Sequence, residues 1–447
     1  MSRHMSNDVV TEDGAALRFA ELHADRLRFC HDAGRWFLWT GNVWEENRTG
    51  VAFQWARELA RALAENEPEK TRFIASKAAF AASVERFART DSAFAVTSEF
   101  WDRDPFLLGT PGGTVDLRTG TLRLSVPGDG ISRSTAVAPA ENADCPRWLR
   151  FLEEATGGDV DMMRFLQQWA GYGLTGDIRE HALVFLYGHG GEGKSVFVNT
   201  LAGIAGTYAV TAAMDTFVAA HGERHSTDLA MMRGARIVTA SETEEGRSWA
   251  EARIKSLTGG DPITARFMHC NNFTYRPAFK LTMVANYKPS LHTVDDAHRR
   301  RFNIVPFTRK PAQPDRELET KLKAEWSAIL RWAICGALDW QVHGLVRPRS
   351  VADATADYFE SQDVLAQWLD EACDADPGND WKKAPSGELF KSWTAFAQRA
   401  GEPIGSRRTF ADALQKRGFM LKKGTAGIRE FVGLRLKPEM RSGASGA

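Results

Sequence analysis

Eight consecutive residues carry the clearest chemistry in this chain: Gly188-His189-Gly190-Gly191-Glu192-Gly193-Lys194-Ser195. They fit G-x-x-x-x-G-K-[ST], a loop whose backbone N–H groups turn inward around a polyphosphate. A helix starting there adds the partial positive charge of its N-terminus. Gly188, Gly190, Gly191, Gly193 and Val196 would shape the cradle. Lys194 would reach the β- and γ-phosphates, and the Ser195 hydroxyl would ligate Mg²⁺. The plain alternative is a chance glycine-rich turn. The flanking residues argue against it, because an apolar run (LVFLY) precedes the loop and a helical pattern (VFVNTLAGI) follows. The expected ligands are ATP and Mg²⁺.

Hydrolysis needs more than a cradle. Ile237 to Ser241 reads as a strand that leads into Glu242, with Glu244 and Glu245 beyond. A strand-end acid would hold Mg²⁺ and polarise the attacking water, with Glu242 the first choice and Glu244 the second. The alternative is an acidic surface turn. Leu281 to Ala285 delivers Asn286 to a second strand end, where its amide would touch the γ-phosphate and the water. The alternative is a simple turn residue. Arg299, Arg300 and Arg301 precede the apolar run FNIVPF and cannot all face a core. They read as an arginine finger reaching a neighbouring subunit's nucleotide, which implies a ring, or else as a solvated basic loop.

The elements that must hold these groups alternate strand and helix through the middle third, as in a P-loop α/β domain. Ahead of it, RWFLW–TGN–VW and TVDL–RTG–TLRL read as hairpins, and Val51 to Ala64 and Thr71 to Arg89 as helices. Cys145 to Gly173 turns helical, which places a boundary near residue 145. Glu317 to Val342 and Val351 to Cys373 are helical patterns, and Asp374 to Asp380 reads as a linker. The expected divisions are 11–144, an α+β N-terminal domain; 145–345, the ATPase core with a helical collar; 346–379, a helical connector and linker; and 380–440, a small basic domain.

The 447 residues carry 57 Lys+Arg and 57 Asp+Glu, so no global field attracts nucleic acid and any basic surface is local. No apolar stretch reaches the ~20 residues of a membrane span, and no signal-peptide core is seen. The five cysteines are scattered with no C-x-x-C pair, which argues against a zinc site or disulfide framework and for a cytoplasmic setting. Most of the 14 tryptophans should be packing residues.

The order of P-loop, strand-end Glu242, KSLTGGD from Lys255, strand-end Asn286 and Arg-Arg before a Pro-Phe strand end resembles superfamily 3 helicases. It is closest in kind to the helicase part of phage and plasmid primase–helicases, which resemble the poxvirus replicative NTPase. LLGTPGGTVDLRTGTL resembles that family's region ahead of the ATPase, and Thr355-Ala356-Asp357-Tyr358 a stretch after it. The resemblance implies an AAA+-like core, ATP hydrolysis, a homo-hexameric ring, replication of a phage, plasmid or integrated element, and a separate primase or polymerase. It makes Lys194 and Ser195 the P-loop pair, Glu242 the acid, Asn286 the sensor and Arg300 or Arg301 the finger. Where the family usually has an aromatic before the arginine pair, this chain has Arg299, so the choice among the three stays open.

The resemblance also implies a hairpin in the ring channel. Residues 264–268 and 273–276 flank a tip at His269 to Asn272, which makes Arg266 and His269 candidate phosphate contacts, with Lys255 nearby. The C-terminal residues read as two helices and a hairpin, a winged-helix arrangement. Its basic positions include Arg407, Arg408, Lys416, Arg417, Lys422, Lys423 and Arg429. A solvated charged face is the alternative to a nucleic-acid surface. The expected partner is single-stranded or forked DNA. The competing function is an initiator or loader ATPase that binds origin DNA without processive unwinding.

Overall fold

The computed structural model describes residues 10–219, 227–241, 247–268, 271–291, 296–400, 404–424 and 428–437. Contacts divide the chain into two compact units: residues 1–289 with 300–352, and residues 290–299 with 353–447.

The first unit is built around a five-stranded parallel sheet. Across it run Phe302–Pro306, Leu183–Tyr187, Lys280–Ala285, Ile237–Ser241 and Ala209–Thr211. Leu183–Ala285-type pairing is in register from end to end, with Leu281 beside Leu183 and Ala285 beside Tyr187. Central strands of a parallel sheet are covered on both faces, which is why LVFLY and KLTMVA are near-continuous apolar runs rather than alternating ones. Two of these strands are pinned at their starts by buried cations. Arg236 donates to the carbonyls of Leu174 (2.7 Å) and Leu107 (2.8 Å), and the Lys280 ammonium donates to those of Thr175, Asp177 and Ala278. Burial pushes Lys280 well below the usual lysine range.

The helical stretch from Cys145 is two helices, Pro146–Thr156 and Val160–Leu174. Gly157, in the left-handed region, ends the first, and the Asp159 carboxylate caps the second by accepting from Met162 N–H. Val160–Leu174 lies against Trp326–His343. The approach is close enough that a Cβ on Gly171 would sit 2.0 Å from the Ala337 nitrogen, and one on Gly336 2.0 Å from the Gln167 oxygen. Only glycine fits either position.

A boundary at residue 145 does not coincide with a break in the core. Leu108, Val115 and Leu117 share one apolar cluster with Trp148, Phe165, Trp169 and Phe307. They come from an antiparallel sheet, Leu107–Thr110, Gly113–Asp116 and Thr121–Arg123, and from the turn joining its last two strands, whose carbonyls at Gly120 and Leu117 accept from Arg331 and Gln341. Before it, Leu27–Cys30, Arg35–Trp39, Trp44–Glu46 and Ala95–Val96 form a separate sheet with its own core around Phe19, Trp36, Phe80 and Phe94. The single helix expected from Thr71 to Arg89 is two, Glu69–Ala75 and Ala78–Thr90, broken where the Ser76 hydroxyl donates back to the Phe73 carbonyl.

In the second unit, Val364–Ala372, Ser386–Ala400 and Arg407–Lys416 are helices, and Lys383–Pro385, Arg429–Val432 and Met420–Lys423 form a sheet with Arg429–Val432 central. Asp374 to Asp380 is not a linker. Cys373–Ala375 is a strand paired with Leu434–Leu436, and Asp374 binds Lys382 (2.7 Å) and Arg435. Trp368, Ala372 and Cys373 belong to the same core as Leu389, Phe410 and Phe431. Five of the tryptophans, Trp44, Trp148, Trp249, Trp340 and Trp368, are among the most buried side chains.

Among the described residues, no helix is long and apolar enough to cross a membrane. The described cysteines are free, and burial pushes the Cys145 and Cys373 thiols up to about 12, which leaves them unreactive.

Candidate active site

The strand Leu183–Tyr187, the expected P-loop strand, leads into Gly188, where a Cβ would meet the Phe307 carbonyl oxygen at 1.9 Å. Gly190, Gly191 and Gly193 hold φ of 112°, 83° and 89°, and Gly193 is the left-handed cap from which Lys194–Ala205 starts. A side chain at Gly193 would also strike the Phe151 ring, at 2.5 Å. The sequence therefore bends its backbone here at positions only glycine tolerates, and the bend opens a cleft of about 1270 Å³.

The cleft gathers groups far apart in sequence. Gly190, Gly191, Gly193, Lys194, Ser195 and Val196 line it, as does Asn286, directly after the strand Lys280–Ala285. That strand lies between the P-loop strand and Ile237–Ser241. Ser241, the last described residue of Ile237–Ser241, also lines the cleft. Glu242 and Glu244 lie outside the described residues, as does His269.

Lys194 is 6% exposed and its ammonium is 3.2 Å from the Glu192 carboxylate. Glu192 is itself 2% exposed and accepts from the backbone N–H groups of His189 (3.0 Å) and Gly190 (2.6 Å). Burial opposes its ionisation. The Lys194 ammonium and the Gly190 N–H outweigh that and hold the carboxyl below its ordinary range. A buried cation and a buried anion thus sit paired inside the loop, as burial of either requires.

Mg²⁺ would find the Ser195 hydroxyl at the start of the helix. Among the described residues no cluster of three or more His, Cys, Asp or Glu could hold a metal. Mg²⁺ fits such a site because it keeps waters and takes substrate phosphate oxygens, needing few protein ligands.

Arg300 and Arg301 end the helix Asp296–Arg301, directly before the strand Phe302–Pro306. Neither is among the cleft-lining residues. Phe302 pairs with Leu183, so the arginines stand at the opposite end of the P-loop strand from Gly188. Five residues of strand separate the two ends by about 16 Å, beyond an arginine's reach. Their backbone is held firmly. The Arg347 guanidinium donates to the carbonyls of Arg300 (3.3 Å) and Phe302 (3.4 Å) and to Asn303 Oδ1 (2.8 Å). Arg299 lies over the Phe359 ring, 5.2 Å from its centroid.

Sequence reasoning missed the basic rim: Arg147 and Arg150, one turn apart on Pro146–Thr156, and Arg309 and Lys310, just past Phe307. The i, i+3 spacing of the first pair was the available signal. It also missed Glu192 and Arg347.

Of the residues expected to meet DNA, Lys255 is exposed on the helix Glu251–Gly259. Ile263–Ala265 and Phe273–Tyr275 form an antiparallel hairpin, Arg266 follows the first strand exposed, and Phe267 stacks on Phe273. Arg407, Arg408 and Lys416 are exposed on Arg407–Lys416, a helix closed by a Ser406–Thr409 capping box. Lys423 is exposed and paired in register with Arg429. Arg417 departs from the expectation of a free cation, since its guanidinium binds Asp363 at 2.5 Å. Lys422 lies 3.4 Å from Asp380.

Comparison with known proteins bears on both units. Residues 16–157 match the family model "D5 N terminal like", and residues 186–301 match "Family of unknown function (DUF5906)". The chain is 25% identical over 275 residues to Putative helicase 022R of Frog virus 3 (isolate Goorha), covering 56% of this chain and 28% of that protein. It is 26% identical over 296 residues to a Putative helicase of Acanthamoeba polyphaga mimivirus, covering 60% and 30%. The chain thus spans less than a third of the length of either relative. Apo structures of the NrS-1 C-terminal region share the fold. One has a TM-score of 0.55 at 10% identity, covering 94% of this chain and all of that one; another has 0.51 at 11%, covering 91% and 96%.

Proposed function

We propose that this protein is an ATP-dependent DNA helicase of superfamily 3, working as a homo-hexameric ring in replication of a phage, plasmid or integrated element. The observation that carries the reading is the strand order. The strand ending at Asn286 lies between the P-loop strand and the strand leading to Glu242, so three chain segments converge on one cleft. Similarity to viral proteins named as helicases supports the same reading.

In this reading the core is AAA+-like. ATP lies in the cleft with its phosphates on the loop amides and Lys194. Ser195, with Glu242 as the candidate acid, would hold Mg²⁺, which would supply neutralising charge for the phosphates. Glu242, or Glu244 in its place, orients the attacking water. Asn286 touches the γ-phosphate. Arg300 and Arg301 stand too far from their own loop to act in cis, which favours service to a neighbour's ATP. Arg299 lies over the Phe359 ring, and the finger is taken from the pair that directly precedes the strand Phe302–Pro306.

The hairpin carrying Arg266 and His269, with Lys255 behind it, would grip single-stranded DNA. The C-terminal unit, read as a winged helix, would present Arg407, Arg408, Lys416 and Lys423 to forked DNA. Such a grip is electrostatic and falls with salt. A separate primase or polymerase would complete the machinery, in the cytoplasm.

The test is ATP-driven unwinding of a forked duplex. Unwinding by the wild type that Glu242→Gln abolishes, with ATP affinity kept, supports the reading. If Glu244→Gln stops turnover and Glu242→Gln does not, the acid is Glu244. DNA-stimulated hydrolysis with no unwinding at any fork would return the chain to the loader class.

A further inference from the structure

We propose that Glu192 is a phosphate surrogate built into the loop: its carboxylate takes the anion's place in the cradle, and a polyphosphate enters by displacing it. The inference rests on the nucleotide reading of the cleft and adds a gate to it.

The contacts are those of a bound oxyanion. One oxygen accepts from His189 N–H at 3.0 Å, and the other from Gly190 N–H at 2.6 Å and from the Lys194 ammonium at 3.2 Å. These donors, glycine-loop amides and one lysine, are of the kind this motif turns toward phosphate. Glu192 is two residues from Lys194, and its side chain folds back over its own loop rather than out to solvent, where 2% of it remains exposed. Both it and Lys194 line the cleft.

The exchange is feasible on charge. A carboxylate brings one negative charge to these donors and a triphosphate brings several, so the incoming group outbids the resident once it arrives. The cleft is large enough for both, and Arg147, Arg150 and Arg309 on its wall offer the expelled carboxylate a basic surface. The cost of expulsion is set against nucleotide affinity, so the loop stays closed at low ATP and Lys194 is never buried unpaired.

A brace that merely holds the loop in shape would make the same contacts, but the two roles respond oppositely to removal of the charge. Calorimetric titration of the full chain with Mg²⁺·ATP and with pyrophosphate distinguishes them. Release of one charge-assisted contact predicts that Glu192→Gln binds both probes about tenfold tighter than the wild type. Equal or weaker binding by Glu192→Gln, with melting temperature unchanged, overturns the latch and makes the residue a brace. If Glu192→Gln melts too early to titrate, Glu192→Asp decides. It keeps the charge but withdraws it from the amides, so tighter binding supports the latch and equal or weaker binding overturns it. Absence of binding to either probe by the wild type and by both variants overturns the nucleotide reading, and the latch with it.

Discussion

The cleft of the first unit and the basic face of the second both hold clustered charge, but they hold it differently. In the cleft, charge is buried and shaped by backbone: Lys194 and Glu192 are paired inside a loop that bends through glycines of positive φ. On the second unit charge is spread over exposed helix and strand, and part of it is spent internally, Arg417 on Asp363 and Lys422 on Asp380. Breaking a buried pair is costly because it strands a charge away from water, whereas exposed charges are worth little each and fail by degrees. A glycine motif therefore reads local backbone in the first region, while a count of basic residues overstates the second.

The largest effect should come from Lys194→Ala, which in the proposed mechanism removes the cation on the transferred phosphate and leaves Glu192 buried without its ammonium partner. Hydrolysis should fall by about 10³-fold or more, measured as phosphate release. Hydrolysis within about tenfold of wild type would break the contrast at its stronger end.

Next in size is the arginine pair. An Arg300→Ala/Arg301→Ala double variant should lose about 10³-fold in turnover while ATP affinity changes little. Specific activity of the wild type should rise with protein concentration as rings assemble. Mixing the double variant with Lys194→Ala should restore some activity, because mixed rings contain interfaces with an intact loop and intact fingers. Sedimentation must first show that both assemble. Full activity of the double variant alone would end the finger assignment.

A truncation sharpens the comparison from the side of the fold. Ending the chain at residue 380 removes Leu434–Leu436 from Cys373–Ala375 and strips Trp368 of Leu389 and Phe410. The remaining stub should expose apolar surface and aggregate. Ending near residue 352 removes that core whole rather than in part and should aggregate less. Equal solubility of the two truncations, by gel filtration, would count against the second unit's core as described.

How much of this was legible in the sequence follows from which interactions are local. The glycine-rich loop at Gly188 to Gly193, its strand and helix, and the strands ending at Ser241 and Ala285 were readable, because periodicity and glycine placement are local signals. Gly171 and Gly336 were not, since their role is an approach between helices 165 residues apart in the chain. Cys373 read as a helix end and Asp374 and Ala375 as linker because Asp, Pro and Gly cluster beside them, and the pairing of Cys373–Ala375 with Leu434–Leu436 lies some 60 residues away. Arg417 counted as a free cation for the same reason: Asp363, 54 residues earlier, carries no local mark of being its partner. Glu192 was hidden differently. It occupies a position the motif leaves undefined, and only the folded loop turns its carboxylate inward.

The smallest effects belong to the exposed cations, and there the comparison is most exposed to test. If Arg408 and Lys423 contact phosphates, Arg408→Ala and Lys423→Ala should each weaken binding to forked DNA and lower the slope of log affinity against log salt by about one. Arg417→Ala should behave otherwise. Its guanidinium is already bound to Asp363, which also caps Val364–Ala372 through Ala366 N–H. Removing it should leave the salt slope unchanged and cost stability on the order of 0.5–1 kcal/mol, the range of a partly exposed pair. Fluorescence anisotropy across a salt series reads the first quantity and urea denaturation the second. A salt slope that falls as much for Arg417→Ala as for Lys423→Ala would show that the ion pair opens for DNA. An unchanged slope in all three variants would return the whole face to ordinary solvated surface, leaving the hairpin of the first unit to hold the strand.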